Sequence, residues 1–185
     1  MKLTDGKIYL DREDVLNIKE EFLPLAVLSR NFYSHFATEI GQFDKSVWNH
    51  FMWMIHPGKF VSQDWLFHEV PAEKYLEGKH MLKFWHSPTW AVPDRLSLIA
   101  DLEACLKQPW YKRSYDFLQL IGIKIGLRKL NLPWLRICSD WADRFKKVDK
   151  DFEGKHLTPG ESNKWCENRC PPYEVFGRYY PLEND

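Results

Sequence analysis

The stretch from Val47 to Val70 constrains the fold more than any other. Val47 to Ile55 (VWNHFMWMI) is apolar, aromatic-rich and of strand length. His56 to Lys59 (HPGK) is a turn signal, and Phe60 to Val70 (FVSQDWLFHEV) reads as a return strand bent near Trp65. Two such runs joined by so short a turn pair antiparallel. A sheet is therefore expected, and its register decides which side chains stand beside one another.

Two further runs fit strands: Pro24 to Ser29 (PLAVLS) and His80 to Trp85 (HMLKFW). The second is expected to complete an antiparallel meander with the hairpin. Asp11 to Phe22 carries Val15, Ile18 and Phe22 near helical spacing and reads as a surface helix. Asn31 to Phe43 follows as a helix or helical turn. From Thr89 the period changes. Pro93 and Asp94 open an amphipathic helix with Leu96, Ile99, Leu102 and Leu106 on one face. Ser114 to Leu130 reads as a second helix, weakened by Gly122 and Gly126. Cys138 to Val148 reads as a third. It has Asp140 and Asp143 near its start and Arg144, Lys146 and Lys147 near its end, an order that complements the helix dipole. Strands first and helices after is the α+β pattern. A length of 185 residues fits one domain. The polar, Pro-rich segment 149–185 is expected to be a loop-rich C-terminal extension packed on it by its aromatics.

Composition removes several classes. Lys+Arg and Asp+Glu both number 26, so the net charge is zero. That balance argues against nucleic-acid binding by phosphate neutralisation and gives no attraction to an acidic membrane. The N-terminus has no apolar run of signal-peptide length, and no segment approaches the roughly 20 apolar residues of a membrane helix. A soluble cytoplasmic protein is expected. The spacing of Cys105, Cys138, Cys166 and Cys170 does not suggest a secreted disulfide framework. Aromatics at 16%, with nine Trp, imply either a dense core or a ring-lined cleft for an apolar or sugar-like ligand.

The candidate chemistry centres on one thiol and one imidazole. Cys138 sits where a helix is expected to begin, and unpaired N–H groups there stabilise a thiolate. Plain packing is the alternative. Cys105 lies near the apolar face of its helix and reads as core. A nucleophilic Cys needs a base, usually His, and the base needs an orienting polar group. His50 interrupts an otherwise apolar strand, where a polar group is costly unless bonded or used. His56 sits in the turn; His35, His80, His86 and His156 lie in exposed-looking segments; His68 is a rival in a strand-like region. Centring the turn on Pro57 and Gly58 pairs His56 with Lys59 and His50 with Trp65, within one residue. Gln63 and Asp64 are then the polar neighbours of His50, Gln63 acting by amide hydrogen bonding and Asp64 by charge. His68 and Glu69 reach it only if the strand is bulged.

Other signals are weak. Cys166 and Cys170, with His156 nearby, make at most half a zinc site and read better as a redox-labile pair or two free thiols. The basic run Arg144 to Lys150 is a solvated helix end. There is no glycine-rich phosphate loop and no HExxH, so neither a metal nor another cofactor is expected.

Taken together, WNHFMWMI, the turn, FVSQD, Tyr115-Asp116, Cys138-Ser139-Asp140 and Thr158-Pro159 resemble the circularly permuted NlpC-type papain-like cysteine hydrolases. These are the YiiX-like group, related in fold to lecithin retinol acyltransferase. The resemblance spans roughly Leu25 to Pro159 and implies a papain-like α+β fold, an antiparallel sheet packed against helices. It implies Cys138 as nucleophile, His50 as base and a third residue on the next strand, for which Gln63 is chosen ahead of Asp64. Tyr115 reads as a wall or a hydrogen-bonding group of the substrate cleft, or as plain core. The activity implied is cleavage of an amide through a thioester, on a small peptide, glycopeptide or lipid-type substrate. Two other readings stay open: an acyltransferase with a non-water acceptor, and a non-catalytic binding module using an aromatic cleft.

Overall fold

A computed structural model describes residues 2–4, 7–31, 46–77, 80–116, 119, 121–122, 136–152, 157–169 and 174–181. Their strands are β1 (Lys2–Thr4), β2 (Lys7–Tyr9), β3 (Leu25–Asn31), β4 (His50–His56), β5 (Lys59–Gln63), β6 (Phe67–Pro71), β7 (His80–His86) and β8 (Glu174–Tyr179). They form one sheet in the order β1-β2-β8-β7-β3-β4-β5-β6. Every pairing is antiparallel except β2 with β8. The helices are α1 (Arg12–Leu16), α2 (Glu73–Leu76), α3 (Val92–Leu106), α4 (Trp110–Arg113) and α5 (Pro159–Asn168), with 3₁₀ segments at Glu20–Phe22 and Cys138–Lys147. The class is α+β. No described helix is long and apolar enough to cross a membrane.

The sheet is covered on both faces, which explains why β3, β4 and β7 read as near-continuous apolar runs. On one face Ala26, Leu28, Phe51, Trp53, Ile55, Val61, Phe67 and Trp85 pack under Leu98 and Leu102 of α3 and under Trp141, Ala142 and Phe145. On the other, Leu25, Val27, Met52, Met54, Phe60, Leu82 and Phe84 pack under Val15, Ile18, Tyr75 and Leu76. Alternation along β4 thus sends Phe51, Trp53 and Ile55 one way and His50, Met52 and Met54 the other.

Several expectations change. The hairpin's return run splits at its bend into β5 and β6. His80–His86 does not extend that meander: β7 pairs with β3 and β8. Non-local pairing of this kind leaves no mark in local periodicity. The segment 149–185 is not mainly loop among its described residues. It supplies α5, opened by a reciprocal Thr158–Glu161 capping box, and β8, an interior strand. α5 is tied to the sheet by Lys83, whose buried ammonium donates to Asn163 and Glu167 at 2.9 Å each and lies 4.3 Å from the Trp85 ring centroid. The expected surface helix over Asp11 to Phe22 shortens to α1 and a 3₁₀ turn. Most of Asn31 to Phe43 and of Ser114 to Leu130 lies outside the described residues.

The helix that opens at Cys138 is 3₁₀ rather than α. With about three residues per turn, positions three apart eclipse one another. Ala142, Phe145 and Val148 therefore form one ridge, and all three pack in the same core cluster.

Two glycines carry backbone arguments. Gly58 has φ of 66° in the HPGK turn, a conformation that favours glycine. Gly177 of β8 lies against Leu10: a Cβ built there would come within 2.6 Å of Leu10 Cγ. Gly177→Val is accordingly expected to cost about 1–3 kcal/mol of stability by overpacking. Urea denaturation checks this, and an unchanged midpoint would contradict the close approach.

Candidate active site

His50 opens β4, and Asp64 follows the last residue of β5. The β4–β5 register runs Met54↔Phe60, Trp53↔Val61, Met52↔Ser62, with a shift between Met54 and His56. Continued by two residues, it sets His50 opposite Asp64 rather than Trp65. The irregularity at Ile55 is the reason: counting back from the turn without it displaces every partner by one residue. Asp64 Oδ1 lies 3.5 Å from His50 Nε2. Ser62, two residues earlier and on the same face, is closer, its Oγ 2.7 Å from the same nitrogen.

Gln63 does not orient the imidazole. Strand alternation turns it to the other face. There its amide donates to the Arg113 carbonyl at 2.8 Å and accepts from Trp141 Nε1 at 3.2 Å. It holds the Cys138 helix and α4 instead. Among the two polar neighbours of the sequence reading, Asp64 stands beside His50. The sequence reading missed Ser62 and Tyr75. Ser62 Oγ donates to Asp64 Oδ1 at 3.0 Å and lies 3.1 Å from the Tyr75 hydroxyl. The Tyr75 ring lies parallel to that of His50, with centroids 6.4 Å apart and planes 5° apart. One signal could have found Ser62: it shares residue parity with Asp64 within a single strand run. Tyr75 comes from α2, which has no motif of its own. Asp64 also receives Lys74 at 3.4 Å and His68 at 3.9 Å.

Cys138 is brought to the same end of the sheet by a backbone tie. The Tyr115 N–H donates to the Trp65 carbonyl, next to Asp64, and the Asp116 N–H donates to the Arg136 carbonyl, two residues before Cys138, both at 3.0 Å. Tyr115 also bridges to Arg136 as a parallel partner. The Cys138 helix is seated by Trp53 Nε1, which donates to the Trp141 carbonyl at 2.9 Å, and by the Trp141 ring, stacked on Phe67 at 3.6 Å. Asp140 accepts from the Ile137 N–H at 3.0 Å and from Gln119 Nε2 at 2.7 Å, fixing the helix start. This helix covers the Phe51–Trp53 face, whereas His50 leaves from the Met52–Met54 face. The strand end is what the two share.

The titratable groups form one neighbourhood. Burial, then the adjacent Cys138 and Asp140, push the Tyr115 phenol well above its ordinary range, and its hydroxyl is hydrogen-bonded to the Cys138 thiol. The phenol stays protonated and is the donor toward sulfur. Burial and then Asp64 likewise raise Tyr75, with Cys138 contributing. Tyr115 is itself buried, so it meets the thiol rather than forming an open cleft wall. Burial lowers His50 from 6.5 to about 4, with Asp64 opposing and His80, Lys74 and His68 adding to the lowering. At neutral pH the imidazole is therefore uncharged.

This has a consequence for stability. A histidine whose pKa is lower folded than unfolded binds its proton first in the unfolded chain. Stability is complete above about pH 6.5 and declines as pH falls toward 4, by roughly 3 kcal/mol in total. His50→Gln should remove that part of the slope in urea titrations between about pH 4.5 and 7. A variant with the wild-type slope would contradict the burial of a neutral His50.

Cys105, Cys138 and Cys166 are buried, and burial pushes the Cys166 thiol far up. Cys170 and His156 lie outside the described residues. Among the described residues no group of three or more metal-ligating side chains gathers. Exposed rings stand close by: Trp65 is 76% exposed and Trp110 70%, and α4, which carries Trp110, is held to the Trp65 segment by the Leu66–Ser114 bridge. No protein-family model matches the chain, and no curated protein matches it.

Proposed function

We propose that the protein is a thiol-dependent hydrolase of papain-like, circularly permuted NlpC type that cleaves an amide through a thioester at Cys138. The observation that carries the reading is an imidazole held at Nε2 by Ser62 and Asp64, at the sheet end to which the Tyr115 tie brings the thiol. His50 takes the thiol proton, and Cys138 attacks the carbonyl carbon. The tetrahedral oxyanion collapses, the C–N bond breaks, and His50 returns the proton to the leaving amine. Water then attacks the thioester, with His50 again as base, releasing the acid and the thiol. The Tyr115 hydroxyl, donating to sulfur, favours the thiolate. Thiol and imidazole leave from opposite faces, so this chemistry requires them to meet around the strand end.

Brief alkylation with iodoacetamide, read by peptide mass spectrometry, tests the reading. Cys138 is expected to label first, with Cys105 and Cys166 protected, and His50→Ala is expected to slow that labelling. Equal labelling of all three, or a rate indifferent to His50, would remove the basis for catalysis.

A second reading is favoured by the exposed Trp65 and Trp110: a binding module whose aromatic surface holds a peptide, glycan or lipid. There Cys138→Ser would leave ligand affinity intact and no substrate would turn over. If a thioester forms but an added amine or alcohol captures the acyl group in preference to water, the protein is an acyltransferase.

A further inference from the structure

The hydrogen bonds around Ser62 admit one self-consistent arrangement of protons. Burial opposes ionisation of Asp64, but His50, Lys74 and the Ser62 hydroxyl outweigh it and keep the carboxyl below its usual range. Asp64 is therefore a carboxylate and can only accept. Ser62 has a single proton and lies 3.0 Å from Asp64 Oδ1, so that proton points to Asp64; any other direction would set two acceptors face to face. The Ser62 oxygen must then accept from whatever else is in reach. His50 Nε2 is 2.7 Å away, so Nε2 must bear a hydrogen. The Tyr75 hydroxyl, 3.1 Å from Ser62 and beside Asp64, stays protonated and is a second donor to this acceptor pair.

We infer that Ser62 and Tyr75 are positioning residues that fix His50 as the Nε2–H tautomer, leaving the lone pair on Nδ1 as the basic site. Ser62 does so by interposing a hydroxyl between imidazole and carboxylate. The direct Nε2 to Asp64 separation is 3.5 Å against 2.7 Å to Ser62 Oγ, so the ring donates to a neutral dipole first. Tyr75 acts through its hydroxyl, 3.1 Å from Ser62 Oγ, and its ring runs parallel to the imidazole. Ser62 is fully buried, so water does not compete for its lone pairs. The catalytic meaning of this rests on the thiol-hydrolase reading; the tautomer does not. In that reading the thiol proton moves from Cys138 Sγ to His50 Nδ1, giving thiolate and imidazolium. The Nε2 hydrogen stays on the ring, and no proton has to travel through Ser62.

The test is long-range ¹H–¹⁵N correlation spectroscopy of ¹⁵N-histidine-labelled protein at about pH 7. His50 is expected to show a protonated Nε2 and an unprotonated Nδ1. A wild-type ring with the proton on Nδ1, or an even mixture of tautomers, overturns the inference whatever the variants do. Ser62→Ala should mix the tautomers, Ser62→Thr should restore the single form, and Tyr75→Phe should leave the Nε2 form dominant but less so. If Ser62→Ala keeps the pure Nε2–H form, Asp64 alone sets the tautomer and the role given to Ser62 is wrong. Acylation of Cys138 by p-nitrophenyl acetate gives the separate readout. Ser62→Ala should slow it about tenfold, the scale of one hydrogen bond, and Ser62→Thr should recover it. An acylation rate independent of Cys138 would end the hydrolase reading and leave the tautomer result standing.

Discussion

Cys138→Ala is expected to abolish the burst of p-nitrophenol released from p-nitrophenyl acetate, with a loss in acylation rate on the order of 10³-fold or more. Among the described residues a thiol nucleophile has no substitute in the site. The Ser62 hydroxyl is committed to Asp64, and the Tyr115 and Tyr75 phenols are raised far above their ordinary range by burial. His50→Ala should lose roughly 10²–10⁴-fold, the range of a single general base. The two losses should not add, because thiol and base act as one unit. Cys138→Ala should not shift the urea midpoint downward by much at pH 7, since it removes one sulfur atom. Residual acylation above a tenth of the wild-type rate in Cys138→Ala would show that another group carries the chemistry.

Phe145→Ala is expected to have the largest effect on stability, about 3–5 kcal/mol. The side chain is fully buried. Its ring meets Phe51, Trp53, Trp90, Phe152 and Trp165 with centroids 5.0 to 6.2 Å apart. Those partners come from β4, from the approach to α3, from the segment after the Cys138 helix and from α5. No single element can close the cavity left behind, so the full cavity cost falls on the fold. Measured against a typical total stability of about 5–15 kcal/mol, this is a large fraction. The same substitution loosens the seat of the Cys138 helix, so labelling of Cys138 should lose its selectivity over Cys105 and Cys166. A urea-derived loss under about 1 kcal/mol would mean that this aromatic cluster does not hold the helix to the sheet.

Element type was legible wherever the apolar period was clean. The hairpin, PLAVLS and HMLKFW all form strands, and Pro93 with Asp94 does open α3. The helix beginning at Cys138 was also readable from its charges, though its 3₁₀ pitch was not, because Ala142, Phe145 and Val148 satisfy a period of three only once packing selects them. His50 was legible as a histidine set against a long apolar run, and the structure places it at the first residue of β4. Its partners were not legible. Gln63 and Asp64 are adjacent in sequence, and a single irregularity at Ile55 together with strand alternation puts Asp64 beside the imidazole and Gln63 on the reverse face, bound to Trp141. The role of the C-terminal segment was hidden for a related reason. A strand such as β8 takes its stability from β7, some 90 residues earlier in sequence (174 − 86 = 88 between their nearest ends), and nothing local records that pairing.

The sequence by itself determined the class of the elements and the two side chains worth watching, because burial and periodicity are local properties of a chain. The tertiary structure alone decided that burial lowers the His50 pKa, that Ser62 stands between the imidazole and Asp64, that the Tyr75 ring lies parallel to the imidazole and that Tyr115 lies beside the Cys138 thiol. Those outcomes depend on desolvation and on register, and both arise only when distant segments close on one another.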